Sequence, residues 1–274
     1  MAITAADVSK LRKMTGAGMM DCKNALEESN GDFDQAVEII RKRGQLVASK
    51  RADRLATEGV VLAKVTEKGN LGAMIVLNCE TDFVAKNDNF VKFAQEILNT
   101  TLEKNPADLA ALKNLPFGNS TIGARITEEV GIIGEKLDLS YYAKIEASQV
   151  IPYIHPGNKL ATLVGFNKAV DVKVGKEIAM QVAAMNPVAI DRADVPPDVI
   201  EKEKEIGREQ ARNEGKPENM LDKIAEGKLN KFFKEGTLMN QEFTRDSSKT
   251  VRQYLQGVDK DLLVTGFFRY NLNQ

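Results

Sequence analysis

The sequence repeats itself, and the repeat limits what the chain can fold into. Val60-Val61-Leu62-Ala63, a turn at Lys68-Gly69-Asn70 and the run from Leu71 to Asn78 predict a β-hairpin, followed by a helical stretch from Phe90 to Leu98. The same order recurs as Val150 to Ile154, a turn at Pro156-Gly157-Asn158, a strand from Leu160 to Asn167 and a helix from Gly175 to Ala184. Phe93-Ala94-Gln95-Glu96-Ile97 is similar to Ile178-Ala179-Met180-Gln181-Val182. Two hairpins, each with its own helix, predict a core of two α+β subdomains of common design. From the strand-ending asparagine to the matched helix residue there are 15 positions in the first copy (Asn78 to Phe93) and 11 in the second (Asn167 to Ile178). The first copy therefore carries about four extra residues.

Those residues fall around Thr81-Asp82-Phe83-Val84-Ala85-Lys86-Asn87-Asp88, where two apolar side chains stand among acids and asparagines at a strand end. Connecting segments lie on the surface and often carry function. Two readings stay open here. Phe83 is either an exposed plug for a partner's pocket or folds back into its own core while Thr81 and Asp82 cap a helical turn. Position alone favours the core.

The remaining segments look helical at both ends of the repeat. Residues 3–43 predict three short helices. The first has Thr4 as cap, Asp7 in its first turn and Val8, Leu11 and Met14 on one face; the second runs from Met19 to Glu28; the third has the stripe Phe33, Ala36, Val37 and Ile40. So small a core suits an interaction module better than an enzyme. From Arg41 to Arg54, six bases face one acid, Asp53. This run reads by default as a solvated helical linker, since no aromatics interleave for base stacking; a nucleic-acid patch is the alternative. A helix from Thr121 to Leu137 and a strand from Leu139 to Ile145 lie between the repeats. Asp198 to Lys231 holds nine acids and eight bases with a thin seam of Val199, Ile206, Leu221, Ile224 and Leu229, broken at Asn213-Glu214-Gly215-Lys216-Pro217. Helices this polar predict an antiparallel hairpin that projects as an arm, for a partner or for self-association. A helix from Ser248 to Gln256 and a strand from Leu262 to Tyr270 close the chain and are expected to return to the second copy.

Composition then narrows the chemistry. Thirty-eight bases against thirty-nine acids leave a net charge of −1, so no overall field draws the chain to nucleic acid or acidic lipid. The longest apolar run, Leu71 to Leu77, is far short of the roughly 20 residues that cross a bilayer, and the N-terminus has no signal-like pattern, so the cytoplasm is the expected location. Cys22 and Cys79 have no Cys-x-x-Cys spacing, and His155 is the single histidine, which argues against zinc. Gly16-x-Gly18 follows a helix rather than a strand and lacks the ending of a phosphate loop. As a nucleophile Cys22 would need a general base beside it, and the only histidine lies in another domain, so it reads as a buried helix residue; His155 sits in a turn without companion ligands; Glu80 and Asp82 are too few to hold magnesium. The residues alone give a multidomain binding protein, with no catalytic centre, cofactor or metal expected. An RNA-binding protein using the basic run and an enzyme using Cys22 are the rival classes.

Two stretches name a family. Leu11-Arg12 with Thr15-Gly16-Ala17-Gly18-Met19-Met20-Asp21-Cys22-Lys23 and Ala25-Leu26 resembles the N-terminal signature of the bacterial elongation factor Ts family. Leu77-Asn78-Cys79-Glu80-Thr81-Asp82-Phe83-Val84-Ala85-Lys86-Asn87 resembles its second signature, and the resemblance runs on to Thr265-Gly266-Phe267-Phe268-Arg269. It implies a guanine-nucleotide exchange factor that binds elongation factor Tu and promotes GDP release, without touching the nucleotide. The implied fold is α+β and multidomain. A ubiquitin-associated-like three-helix domain with its basic linker occupies 1–54, a core N-subdomain 55–146, a core C-subdomain 147–196 and 232–274, and a projecting coiled-coil hairpin 197–231. By the same resemblance Arg12, Met19, Met20 and Lys23 would meet the partner's GTPase domain. Asp82 and Phe83 would enter it near the helices behind its magnesium and switch region, with Thr81 and Val84 beside them in the contact. Ile133 and Gly134 would lie near its phosphate loop, His155 matches the histidine of the second repeat, and the Leu238 to Phe243 region would face another domain. No membrane or strong nucleic-acid binding is implied, and a homodimer remains open. Longer members carry an additional C-terminal helical module that touches the partner; with four residues after Tyr270, that contact is left open here.

Overall fold

Thr4 starts the first helix of the computed structural model, which describes residues 3–274. Its hydroxyl and the Asp7 carboxylate form a reciprocal capping box for α1 (Ala5–Thr15), and Gly16 ends the helix in the left-handed region (φ 74°). α2 (Met19–Glu28) and α3 (Phe33–Lys50, capped by Asp32) follow, and Val8, Leu11, Cys22, Ala25, Leu26 and Ala36 close a small core between the three. The third helix continues past residue 43 into the basic run and ends at Lys50, with 51–54 in a turn. Its bases find acids: Arg43 reaches Glu28 at 2.6 Å, Arg41 reaches Glu128 at 3.0 Å and Arg51 reaches Glu80 at 2.7 Å.

The first repeat comprises β1 (Glu58–Val65), β2 (Leu71–Cys79), α4 (Asp82–Ala85) and α5 (Asp88–Lys104). After it come α6 (Leu109–Lys113), the two-residue strands β3 (Pro116–Phe117) and β4 (Ser120–Thr121), α7 (Ile122–Ile133) and β5 (Asp138–Glu146). The second repeat comprises β6 (Gln149–Ile154), β7 (Leu160–Phe166) and α8 (Val172–Met185). The chain then forms α9 (Pro197–Asn213), α10 (Leu221–Gly236), β8 (Glu242–Phe243), β9 (Asp246–Thr250), α11 (Val251–Val258) and β10 (Val264–Asn271). Each hairpin gains a third antiparallel strand on the same side, giving sheets ordered β1-β2-β5 and β6-β7-β10. The four extra residues of the first copy are α4, for which the second copy has no counterpart between β7 and α8.

Strand periodicity explains the unbroken apolar run of β2. Ala73, Ile75, Leu77 and Cys79 point into a core with α5 and α7, while Met74 and Val76 point the other way, against Val150, Ala161 and Leu163 of the second sheet. On β7, Val164 and Phe166 face Ile178, Ala179 and Val182 of α8 and Val251 and Leu255 of α11. The result is four layers, helices outside and two sheets face to face. The second half of α3 is fastened to this body where it crosses α7 at Gly44 and Gly131. A Cβ on Gly131 would lie 2.4 Å from the Gly44 Cα, so only glycine permits so close an approach.

Several boundaries differ from expectation for local reasons. The helix expected over Thr121 to Leu137 ends at Ile133, because Gly134 turns left-handed (φ 77°) and frees 135–137 to become a loop. The helix expected from Ser248 starts at Val251, since 246–250 pairs with 242–243 and Thr250 and Gln253 form the capping box. In the arm the second helix runs past Lys231 to Gly236. The middle of its seam is small rather than branched: Gly207, Ala211 and Ala225 are buried with Leu221 and Leu229, and the helices pack closely at Gly207 and Ala225. α6 and the paired two-residue strands are too short to leave a periodic signal.

Candidate functional site

The site is built on α4. β2 brings Cys79 into the core, and the next residues turn outward. Thr81 caps the short helix, its hydroxyl oxygen accepting from the Val84 N–H at 3.4 Å and its carbonyl from the Ala85 N–H at 3.2 Å. Ala85 is buried and Val84 half-buried, both on the α5 and α7 core. Successive residues of a helical turn are about 100° apart, so with Val84 and Ala85 turned inward, Phe83 turns outward. It is 83% exposed. The core placement favoured by position alone is thus overturned for Phe83, although the capping role expected of Thr81 is present. Lys86 donates to Asp82 at 2.6 Å and holds its carboxyl below the usual range.

Around this turn three loops are knitted together. Thr81 donates its N–H and its hydroxyl to the Glu135 carboxylate at 3.0 and 2.7 Å. Glu80, half-buried, accepts the Lys136 N–H at 2.6 Å and the Arg51 guanidinium at 2.7 Å. The Lys136 N–H first, and then Arg51, hold the Glu80 carboxyl below its usual range against the opposing effect of burial. Lys136 in turn donates its ammonium to the Ala52 and Arg54 carbonyls just beyond α3. Sequence reasoning weighed Glu80 as a magnesium ligand and did not single out Glu135, because their partners lie far away in the chain. Beside the turn, Gly16, Val84, Asn87, Phe90, Ile132 and Ile133 line a hollow of about 350 Å³. Glu129 also lines it, and burial pushes its carboxyl up despite Arg125 at 2.5 Å.

Met19 and Met20 are exposed by 62 and 64% at the start of α2; Arg12 and Lys23 are exposed, Lys23 standing 3.7 Å from Glu27. Gly16 on the same unit borders the hollow with Val84 and Ile133, so the N-terminal loop, α4 and the end of α7 adjoin. Ile133 is half-buried and Gly134 is the left-handed cap that follows it. His155 is exposed in the second hairpin turn, its Nδ1 2.8 Å from the Tyr153 hydroxyl. That turn docks on the edge of β1, with the Val61 N–H donating to the Asn158 carbonyl at 2.6 Å and Lys159 at 2.8 Å from Glu58. Lys159 adds to the field that lowers the Asp82 carboxyl, after the larger effect of Lys86. In the Leu238 to Phe243 region Leu238, Met239 and Phe243 are core residues under α8 and α11 and are not available to a partner, whereas Asn240 and Glu242 reach the surface. Thr81, too, has its side chain engaged within the chain.

The cysteines are structural. Cys22 is fully buried, with its thiol near the Ala17 carbonyl and the Thr15 hydroxyl. Burial first, then Glu135 and Glu58, push the Cys79 thiol up to about 12, far from a nucleophile's range. Among the described residues no helix is long and apolar enough to cross a membrane.

The family described as Elongation factor TS matches residues 80–274. Over its full length the chain is 53% identical to an elongation factor Ts of Porphyromonas gingivalis, covering 99% of that protein. It is 54% identical to one of Amoebophilus asiaticus over 98% of both chains, and 49% identical to one of Flavobacterium psychrophilum over 97% of both.

Proposed function

The chain belongs to the elongation factor Ts family, and on that premise we propose that it is a guanine-nucleotide exchange factor for elongation factor Tu, with no reaction chemistry of its own. The exposed Phe83 on a turn pinned at both ends is the observation that carries this reading. A large apolar side chain held out in water gains by entering a partner's pocket, and rigid presentation lowers the ordering cost. Asp82 and Phe83 enter the partner's GTPase domain. The state they stabilise has a disturbed magnesium and phosphate-loop site, with high affinity for the factor and low affinity for GDP. Met19 and Met20 add an adaptable apolar patch, flanked by Arg12 and Lys23. Ile133, Gly134 and His155 complete the surface, while Val84 supports it from below.

On the same reading residues 1–54 are a ubiquitin-associated-like domain with its linker, and 55–146 and 147–196 with 232–274 are the two core subdomains. Residues 197–231 are a coiled-coil arm, whose close helix packing at Gly207 and Ala225 supports the description. The protein works in the cytoplasm, binds no nucleotide directly and meets elongation factor Tu both with GDP and without nucleotide; the arm is a surface for a partner or a second copy. The test is release of a fluorescent GDP analogue from elongation factor Tu, chased with unlabelled GDP, with this protein at substoichiometric concentration. Accelerated release with turnover is expected; release at the intrinsic rate with a folded sample would refute the assignment.

A further inference from the structure

Two carboxylates close the gap between the loop bearing Phe83 and the loop bearing Gly134, and each serves the other loop's backbone. Glu135 takes the N–H and hydroxyl of Thr81, and Glu80 takes the N–H of Lys136. They act where the sheet can no longer do so: β2 pairs with β5 as far as Asn78 and Asp138, and beyond that register the side chains continue the join. Thr81 donates both its protons to Glu135, and its hydroxyl oxygen and carbonyl accept from Val84 and Ala85. It has no donor left for a partner. Ile133, two residues before Glu135, and Phe83, two residues after Thr81, are thereby held on either side of one clamp.

We propose that Glu135, acting through Thr81, is a positioning residue for nucleotide exchange: it fixes Phe83 relative to Ile133 and Gly134 so that they meet the partner as one preformed surface. The inference rests on the exchange-factor reading. Its physical basis is that a contact held in its bound geometry loses less freedom on association, and hydrogen bonds to a charged acceptor are the stronger kind.

A double-mutant cycle tests it, with affinity for nucleotide-free elongation factor Tu measured for the full-length wild type, Glu135→Ala, Phe83→Ala and the double variant. Glu135→Ala is expected to weaken binding about tenfold, and Glu135→Gln, which keeps one acceptor for the hydroxyl, only about threefold. In the Phe83→Ala background, loss of Glu135 is expected to cost less than about twofold further, because the side chain it positions is gone. Losses that simply multiply, or a Glu135→Ala variant that binds like wild type, would overturn the proposal. Should Glu135→Ala show no cooperative thermal transition, Thr81→Val takes its place, removing only the hydroxyl, with an expected loss of about threefold that again vanishes without Phe83. A wild type that fails to bind nucleotide-free elongation factor Tu at all would refute the exchange-factor reading, and the positioning role with it.

Discussion

Truncating Phe83 separates the folded-state role of this side chain from its role at an interface. In the free protein it is 83% exposed, so Phe83→Ala removes almost no buried area. The expected stability change is within about 0.5 kcal/mol, or a Tm shift of about 1–2 °C for a chain of this size. In a complex the ring beyond Cβ would bury roughly 80–120 Å², which at about 25 cal/mol per Å² is worth about 2–3 kcal/mol. That corresponds to a fall of about 30- to 150-fold in the second-order rate constant for accelerated GDP release. The assay is the fluorescent-GDP chase over a range of variant concentrations, with a melting curve on the same sample. A rate within about twofold of wild type would show that Phe83 is not the inserted group. A Tm fall of more than about 5 °C would show that the ring supports its own fold.

Three further perturbations follow from the same geometry. Gly131→Ala places a Cβ 2.4 Å from the Gly44 Cα, so it is expected to cost about 1–3 kcal/mol by overpacking the crossing of α3 on α7, visible as a lower Tm in calorimetry; an unchanged Tm would mean the crossing is loose. The Glu80 carboxyl is held below its ordinary value of 4.5, so its stabilisation is complete above that value and is lost as pH falls through the lowered one. The Tm gap between wild type and Glu80→Gln should therefore narrow as pH falls below about 4.5 and vanish in stronger acid, whereas a gap independent of pH would contradict it. With both cysteines buried and the Cys79 thiol raised to about 12, a thiol reagent near pH 8 should label neither until the protein is unfolded. Rapid labelling of Cys79 in the native protein would contradict that placement.

How much of this was legible in the sequence depends on whether the deciding interaction is local. The hairpins, the helices after them and the four-residue excess of the first copy were legible, because periodicity and turn residues are local signals; that excess is α4 itself. Phe83 was not resolved, since it and Val84 are adjacent apolar residues. Only the helical turn, which directs Val84 to the core and Phe83 to solvent, separates them. The run from Arg41 to Arg54 looked like a linker with unmatched charge, yet Glu28, Glu80 and Glu128 meet three of its arginines across the fold. The clamp of Glu80 and Glu135 was invisible for the same reason: its partners are more than 50 positions apart. Family resemblance supplied the candidate contacts but not which of them are engaged internally. Leu238, Met239 and Phe243 proved to be core, and Thr81 a capping residue bound to Glu135.

The central claim is that this protein prefers elongation factor Tu without its nucleotide, and linkage gives it a direct measurement. If the factor weakens the partner's hold on GDP by some ratio, GDP must weaken the partner's hold on the factor by the same ratio. Titration calorimetry of this protein into elongation factor Tu, once nucleotide-free and once saturated with GDP and magnesium, measures that ratio. The account predicts much tighter binding to the nucleotide-free form. Equal affinity for the two forms would contradict it, because a factor that binds both equally cannot shift the partner away from GDP however tightly it binds.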